Sequence, residues 1–487
     1  MALPDLIQIV PLDKPVRAEI TVPGSKSITN RALVLAALAD GETILTGALW
    51  SEDTQIMVEC LQDLGFMVNV APDPDEICNR TITVYGQGGT IPGGGTVENP
   101  LELFVGNAGT AARFLAVLVC LGKGVHRLHG VPRMHERPQA ALFKALRELG
   151  YHVDSPNDKL PATIVGSSRR ESAQTSSGRN QSRLTSAATV SIGESSQFAS
   201  ALLLCAQYGG WEVKVVGENA EESPYVAMTS KMIETFPKSG GKFQIEPDAS
   251  SGSYFWAAGT LERGGQIQQA GAVPCRLTVT VSSWPNSAWQ IDQNFPWVMF
   301  GLALNSPSSG SPAFDEIIMR FGSDWAKRQD AVVALLEDTV PLNVSRRTGL
   351  GDSVMTAITM APLSCGKSIF TDLGRLRVQE CERVVALRTE LTKCGAKVVE
   401  EGDTLTVYPS TLHGAEVETY NDHRMAMCFA ILGLKVPGIK IKNPACVKKT
   451  FPNFFQKLAA PPPNGLGATI LDAKTGRKLE LKELFAE

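Results

Sequence analysis

Leu61-Gln62-Asp63-Leu64-Gly65-Phe66-Met67-Val68 is echoed by Leu146-Arg147-Glu148-Leu149-Gly150-Tyr151-His152-Val153 and by Leu391-Thr392-Lys393-Cys394-Gly395-Ala396-Lys397-Val398. In each copy an amphipathic run ends one residue before a glycine, and a strand-forming stretch follows. A glycine there suits the position after a helix end, where the backbone must take positive φ before turning into a strand. A second form, Asp40-Gly41-Glu42-Thr43-Ile44-Leu45, Gly264-Gly265-Gln266-Ile267 and Pro437-Gly438-Ile439-Lys440-Ile441, is read the same way. Copies on both sides of the midpoint predict an α/β protein built from repeated units.

With 487 residues the chain is too long for one ordinary core and is expected to divide. Apolar residues make up 43%, which excludes a disordered or collagen-like chain. The 46 basic residues are balanced by 50 acidic ones, so no nucleic-acid partner is indicated and an anion site must come from local clustering. No apolar run is long enough to span a membrane, and Met1-Ala2-Leu3-Pro4-Asp5-Leu6 lacks the look of a leader, so a cytoplasmic protein without a membrane partner is expected. The ten cysteines show no C-x-x-C pair and read as reduced, buried thiols, with no metal site. Ser167 to Ser186 is polar and reads as a surface loop. Prolines 285, 296, 307 and 312 obscure the periodicity between Trp284 and Gly351. After Ala460, Pro461-Pro462-Pro463-Asn464-Gly465 stops a helix, and a short strand is expected around Ala468 to Leu471.

Chemistry concentrates at helix starts. In Pro23-Gly24-Ser25-Lys26-Ser27-Ile28-Thr29-Asn30-Arg31 a strand, Ala18 to Val22, meets a glycine turn and then a helix, so backbone N–H groups and the positive helix end face an anion beside Lys26, Ser27 and Arg31. Gly106-Asn107-Ala108-Gly109-Thr110-Ala111-Ala112-Arg113-Phe114 opens a second apolar helix, with small residues that admit a ligand to the backbone. Val131-Pro132-Arg133 presents an arginine on a rigid turn, and Ser195-Ser196-Gln197 gathers small donors with capping character. Tyr420-Asn421-Asp422-His423-Arg424 and Val447-Lys448-Lys449-Thr450-Phe451-Pro452 complete six cationic or donor clusters. Together they point to a cleft for ligands that carry phosphate and carboxylate.

Taken in order, the Lys26 and Asn107 motifs, Arg133, Ser195-Ser196-Gln197, Asn421 to Met425 and Lys449-Thr450-Phe451-Pro452 resemble 5-enolpyruvylshikimate-3-phosphate synthases over residues 8 to 458. UDP-N-acetylglucosamine enolpyruvyl transferase would show Lys-Asn in place of Lys26-Ser27. The resemblance implies an α/β enolpyruvyl transferase fold of two domains, each of three βαβαββ units with helices packed inside, an inverse α/β barrel. Residues 24–247 would form the inserted domain, 1–23 with 248–458 the second, and 459–487 a C-terminal appendage. It also implies transfer of the enolpyruvyl group of phosphoenolpyruvate to the 5-hydroxyl of shikimate 3-phosphate by a monomer needing neither metal nor organic cofactor.

By the same resemblance, shikimate 3-phosphate is held by Lys26, Ser27, Arg31, Ser195, Ser196, Gln197 and Tyr225, with Asp352 near its 5-hydroxyl. Phosphoenolpyruvate takes Lys26, Asn107, Gly109, Arg133 and Gln197, together with Glu380, Arg383, His423, Arg424 and Lys449. Asp352, Glu380 and Lys26 are the expected proton-transfer groups, since the reaction moves one proton from a hydroxyl and one onto carbon. The family's Asn-x-Arg-Val-Lys-Glu reads Arg375-Leu376-Arg377-Val378-Gln379-Glu380 here, its Ser-x-Pro-Tyr reads Glu222-Ser223-Pro224-Tyr225, and Phe114 replaces a proline. Arg375 and Gln379 therefore stand where substrate-binding asparagine and lysine are expected. Arg375 is expected to restore the charge lost at Gln379, four residues on and on the same face if the stretch is α-helical. Two other readings stay open at this stage: a catalytically silent relative that binds shikimate-type ligands, and enolpyruvyl transfer to another phosphorylated alcohol.

Overall fold

The computed structural model describes residues 3–14, 16–166, 186–193, 195–217, 223–260, 278–304, 342–364 and 366–486. Residues 167–185, Glu222, Gly264-Gly265 and two of the ten cysteines lie outside them. The chain divides into two compact units, Gly24–Glu246 and Met1–Pro23 with Pro247–Glu487. All three octet glycines have the expected positive φ: 87° at Gly65, 88° at Gly150 and 92° at Gly395. Each follows a helix, Glu52–Asp63, Ala140–Glu148 or Arg383–Lys393, and precedes a strand. The closing bonds also match: Phe66 N to Leu61 O at 3.0 Å, Tyr151 N to Leu146 O at 3.0 Å and Ala396 N to Leu391 O at 3.0 Å, the wide turn of a Schellman motif. The second glycine form behaves differently. Gly41 has φ 112° but is the second residue of the strand Asp40–Leu49, and Gly438 lies beyond the end of the helix His423–Gly433. The positive φ is there, but it serves the strand start and a loop turn, not a helix end.

Among the described residues, four four-stranded sheets repeat one pairing scheme. Along the order Gly241–Gln244, Asp40–Leu49, Asn79–Gln87, Met67–Pro72 the neighbours pair parallel, antiparallel, antiparallel. Leu101–Phe104, Gly124–His129, Ala162–Gly166, His152–Asp154 do the same, as do Leu342–Ser345, Ser368–Thr371, Thr404–Tyr408, Lys397–Glu401. The fourth is Glu416–Val417, Lys440–Lys442, Leu6–Ile9, Ile470–Asp472. The tail beyond Ala460 thus adds the edge strand of this sheet. Helices apolar all round are buried all round: every residue of Gly109–Leu118 is buried, and all of His423–Gly433 except Arg424. In the proline-rich stretch the described residues form a 3₁₀ turn, Ile291–Asn294, a helix, Phe295–Leu304, and the strand Leu342–Ser345.

Candidate active site

In the unit Gly24–Glu246 the helix Lys26–Leu38 begins where the strand-to-helix turn passes against backbone. A Cβ on Gly24 would stand 2.0 Å from Gly47 O, so only glycine fits, and its N–H donates to Asn79 Oδ1 at 2.8 Å. Lys26 Nζ donates to Asp53 Oδ2 at 3.1 Å. One turn further, Arg31 is 2% exposed. It donates through Nε to Thr229 Oγ1 at 2.7 Å, through Nη1 to Ser27 O at 2.8 Å and through Nη2 to Ser200 Oγ at 2.9 Å, and lies 5.4 Å from the centre of the Phe114 ring. All these acceptors are neutral, and among the described residues no carboxylate is within ion-pair distance. Burial accordingly pushes the Arg31 guanidinium down to about 10. A buried cation kept on neutral partners is suited to receive an anion.

The second helix start, Gly109, is crowded by guanidinium: a Cβ there would meet Arg113 Nη1 at 2.4 Å and Arg137 Nη1 at 2.7 Å. Arg113 Nη1 donates to Gln197 Oε1 at 3.1 Å, and Gln197 Nε2 donates to Thr110 Oγ1 at 2.9 Å. The Ser195 hydroxyl accepts from Gln197 N at 3.2 Å, capping the helix Ser196–Gly209. Ser196 is buried, Tyr225 half-buried, and the Tyr225 carbonyl accepts from Thr229 Oγ1 at 2.7 Å. Asn107 is half-buried and its carbonyl accepts from Arg137 Nη1 at 3.3 Å. Arg133 is 53% exposed and pairs with Glu136 on its own short helix.

The other unit carries a compensated network. Asp352 Oδ1 accepts from Arg346 Nη2 at 2.9 Å, and Arg424 Nη2 lies 3.2 Å from Asp352 Oδ2. Burial would raise the Asp352 pKa, but the Arg424, Arg346 and Arg383 charges outweigh it and hold the carboxyl well below the usual range. The turn is braced from beneath, since Asp292 Oδ1 accepts from Gly351 N at 2.7 Å and Ser353 N at 3.2 Å while its other oxygen takes the Ser250 hydroxyl. Arg383, 1% exposed, donates to Asp422 Oδ2 at 2.7 Å, to Glu380 Oε2 at 2.8 Å and to the Gln379 amide oxygen. Lys449 Nζ lies 3.2 Å from Glu380 Oε1. Burial would lower the Arg383 pKa, and Asp422, Glu380 and Asp352 reverse this and raise it. Asp422 also caps the helix of Arg424, accepting from Arg424 N at 2.8 Å.

Of the residues expected from sequence, Asp352 and Arg424 meet directly, and Glu380, Arg383, Gln379 and Lys449 form one chain of contacts. His423 is buried in the first turn of its helix, with Nδ1 3.8 Å from Asp422 Oδ1. The α-helical geometry supposed for Arg375 and Gln379 is not found. Leu373–Val378 is a 3₁₀ turn ending at Gln379, and at three residues per turn positions four apart point ~120° apart. Gln379 instead serves Arg383, an acceptor role that a lysine could not fill. No sequence motif assigns a role to Asp53, Arg137, Arg346, Asp292 or Asp422. The acid run Glu52-Asp53 at a helix start was the one available signal; Arg346 lies in the stretch where proline spacing hid the elements.

The EPSP synthase (3-phosphoshikimate 1-carboxyvinyltransferase) family profile matches residues 11–239 and 302–458. A 3-phosphoshikimate 1-carboxyvinyltransferase of Trichormus variabilis is 34% identical over 475 residues, covering 93% of this chain and 98% of its own. The EPSP synthase structure from Acinetobacter baumannii superposes with a TM-score of 0.61 at 19% identity, over 92% of this chain and 96% of that one. The enolpyruvyl transferase NikO from Streptomyces tendae gives 0.60 at 15% identity, over 98% and 99%. The fold is that of the two-domain enolpyruvyl transferases. Within that class, the chain belongs to the EPSP synthase family.

Proposed function

We propose that this chain transfers the enolpyruvyl group of phosphoenolpyruvate to the 5-hydroxyl of shikimate 3-phosphate, with release of inorganic phosphate. The observation that carries the reading is the Asp352 carboxylate held by Arg346 and Arg424 and coupled to the chain Lys449–Glu380–Arg383–Asp422. It provides proton acceptors and anion ligands in one largely buried set of charges. In the reaction, the 5-oxygen bonds to C2 of the enol while C3 gains a proton, giving a tetrahedral phosphate adduct. C3 then loses a proton, the C2–O bond to phosphate breaks, and the double bond returns.

Asp352 takes the hydroxyl hydrogen bond, and Lys26 and Glu380 exchange protons with C3, each a step such groups accelerate ~10²–10⁴-fold. Arg133, Arg383, Arg424 and Lys449, with Asn107, Gly109, Gln197 and His423, hold the phosphoenolpyruvate carboxylate and phosphate and stabilise the departing phosphate. Ser27, Arg31, Ser195, Ser196, Gln197 and Tyr225 hold shikimate 3-phosphate, and Arg375 and Gln379 stand near it. A carboxylate with a depressed pKa is a weak base. Engagement of Arg424 by phosphoenolpyruvate removes part of the charge that depresses Asp352, so its basicity rises when the second substrate is bound.

We also read the protein as a cytoplasmic monomer. Its described cysteines are free thiols, seven of the eight buried, and burial pushes Cys60 and Cys428 up to about 12, which keeps them unreactive in a reducing compartment. Among the described residues no helix is long and apolar enough to cross a membrane. The test of the activity is phosphate release by purified protein, which should require both substrates. Release from phosphoenolpyruvate alone would identify a phosphatase and sink the reading.

A further inference from the structure

Arg346 stands apart from the arginines that the sequence motifs single out. It follows directly on the strand Leu342–Ser345, its N–H donates to Thr371 O at 3.1 Å, and it is only 9% exposed. One of its five donors is committed to Asp352 Oδ1, whereas its Nε is buried with no hydrogen-bond partner among the described residues. Leaving a buried guanidinium donor unsatisfied is costly unless something arrives to take it. Asp352 is clamped by one arginine at each carboxylate oxygen. Arg424 approaches Oδ2 as part of the set Arg424, Arg383 and Lys449, and Arg346 approaches Oδ1 from a separate strand. Meanwhile Gln379, where a cation was expected, is neutral and gives its amide oxygen to Arg383.

We propose that Arg346 is a ligand for the phosphate of the acceptor alcohol, reading it with its free Nε edge while Nη2 holds the carboxylate that meets the alcohol's hydroxyl. The inference rests on the functional reading above, which places the acceptor's hydroxyl at Asp352. A planar fork that orients the proton acceptor on one side and takes phosphate on the other ties recognition to alignment of the attacking oxygen. It moves the missing positive charge from the 379 position to the far side of Asp352.

The experiment is titration calorimetry at fixed salt with shikimate 3-phosphate and with shikimate, which lacks the phosphate, on the wild-type chain and Arg346→Gln. Arg346→Gln should weaken shikimate 3-phosphate about 10- to 100-fold, the effect of one lost charge-assisted contact, and change shikimate by less than about threefold, with KM for phosphoenolpyruvate little altered. Equal losses for both acceptors in Arg346→Gln would mean that Arg346 only braces Asp352, and would overturn the inference while leaving the activity intact. A wild-type chain that ignores shikimate 3-phosphate would overturn the functional reading and this inference together. If Arg346→Gln fails to fold, Arg346→Lys answers the same question: lost fork geometry with retained charge should weaken shikimate 3-phosphate about 3- to 10-fold and spare shikimate, and unchanged discrimination would count against the proposal.

Discussion

Arg31 and Arg383 are both buried arginines in the first two turns of a helix, one in each unit, yet their surroundings are opposite in kind. Arg31 is wrapped by hydroxyls and carbonyls, and burial pushes it down to about 10. Arg383 is wrapped by Asp422 and Glu380, which reverse the burial penalty and raise it. The first keeps its charge available for a substrate anion. The second spends much of its charge on holding carboxylates in place, one of which is a proposed proton carrier. Burial alone therefore does not tell how much of an arginine's charge is left for a ligand; the charge of its neighbours does.

The comparison can be broken in several ways. The largest expected effect is on turnover: Asp352→Asn and Glu380→Gln should each lower kcat ~10²–10⁴-fold, with much smaller changes in the dissociation constant for shikimate 3-phosphate. Near-normal kcat in both would remove them from the chemistry. Next, Arg383→Met leaves Asp422 and Glu380 without their buried partner and should cost ~3–5 kcal/mol in urea unfolding. Arg31→Met removes an uncompensated charge from beside Thr229 and Ser200, which still bond to each other at 2.9 Å. It should change stability by less than ~1 kcal/mol while weakening shikimate 3-phosphate by about 1.5–3 kcal/mol. Similar stability losses for the two arginine variants would erase the distinction.

A smaller effect concerns pH. The Asp352 carboxyl has a folded pKa below its unfolded value, so its stabilising contribution is complete above the unfolded carboxylate pKa of about 4 and is lost as pH falls through the folded value. Arg346→Gln removes one of the charges responsible, so the acid unfolding midpoint should move to higher pH. A midpoint that stays put, followed by circular dichroism, would show that Arg424 and Arg383 hold Asp352 without Arg346.

The parts of this fold legible in the sequence are those set by neighbours along the chain. Gly65, Gly150 and Gly395 each close a helix by bonds within six residues, so a local pattern was enough to find them. Gly41 and Gly438 carry the same signal of positive φ, but Gly41 is paired within a strand and Gly438 lies in a turn past the end of its helix. Lys26, Asp352, Glu380, Arg383 and Arg424 are singled out by motif or by the family resemblance, but the partners that hold them are not. Asp53 reaches Lys26 across 27 positions and Asp422 reaches Arg383 across 39, distances that no periodicity encodes. For Arg375 the sequence leaves the local geometry open, and a change from α to 3₁₀ turns a shared face into two different ones.

The central claim is addition of the acceptor hydroxyl to C2 with a proton placed on C3 and later removed, carried by Lys26, Asp352 and Glu380. Running the reaction of shikimate 3-phosphate and phosphoenolpyruvate in D₂O and reading the product by mass spectrometry tests it directly. The account predicts a product heavier than shikimate 3-phosphate by one enolpyruvyl group, with deuterium in its terminal methylene, because C3 passes through a methyl that gains a solvent deuteron and loses a hydrogen. A product free of deuterium at that carbon, or no enolpyruvyl product at all, would contradict it.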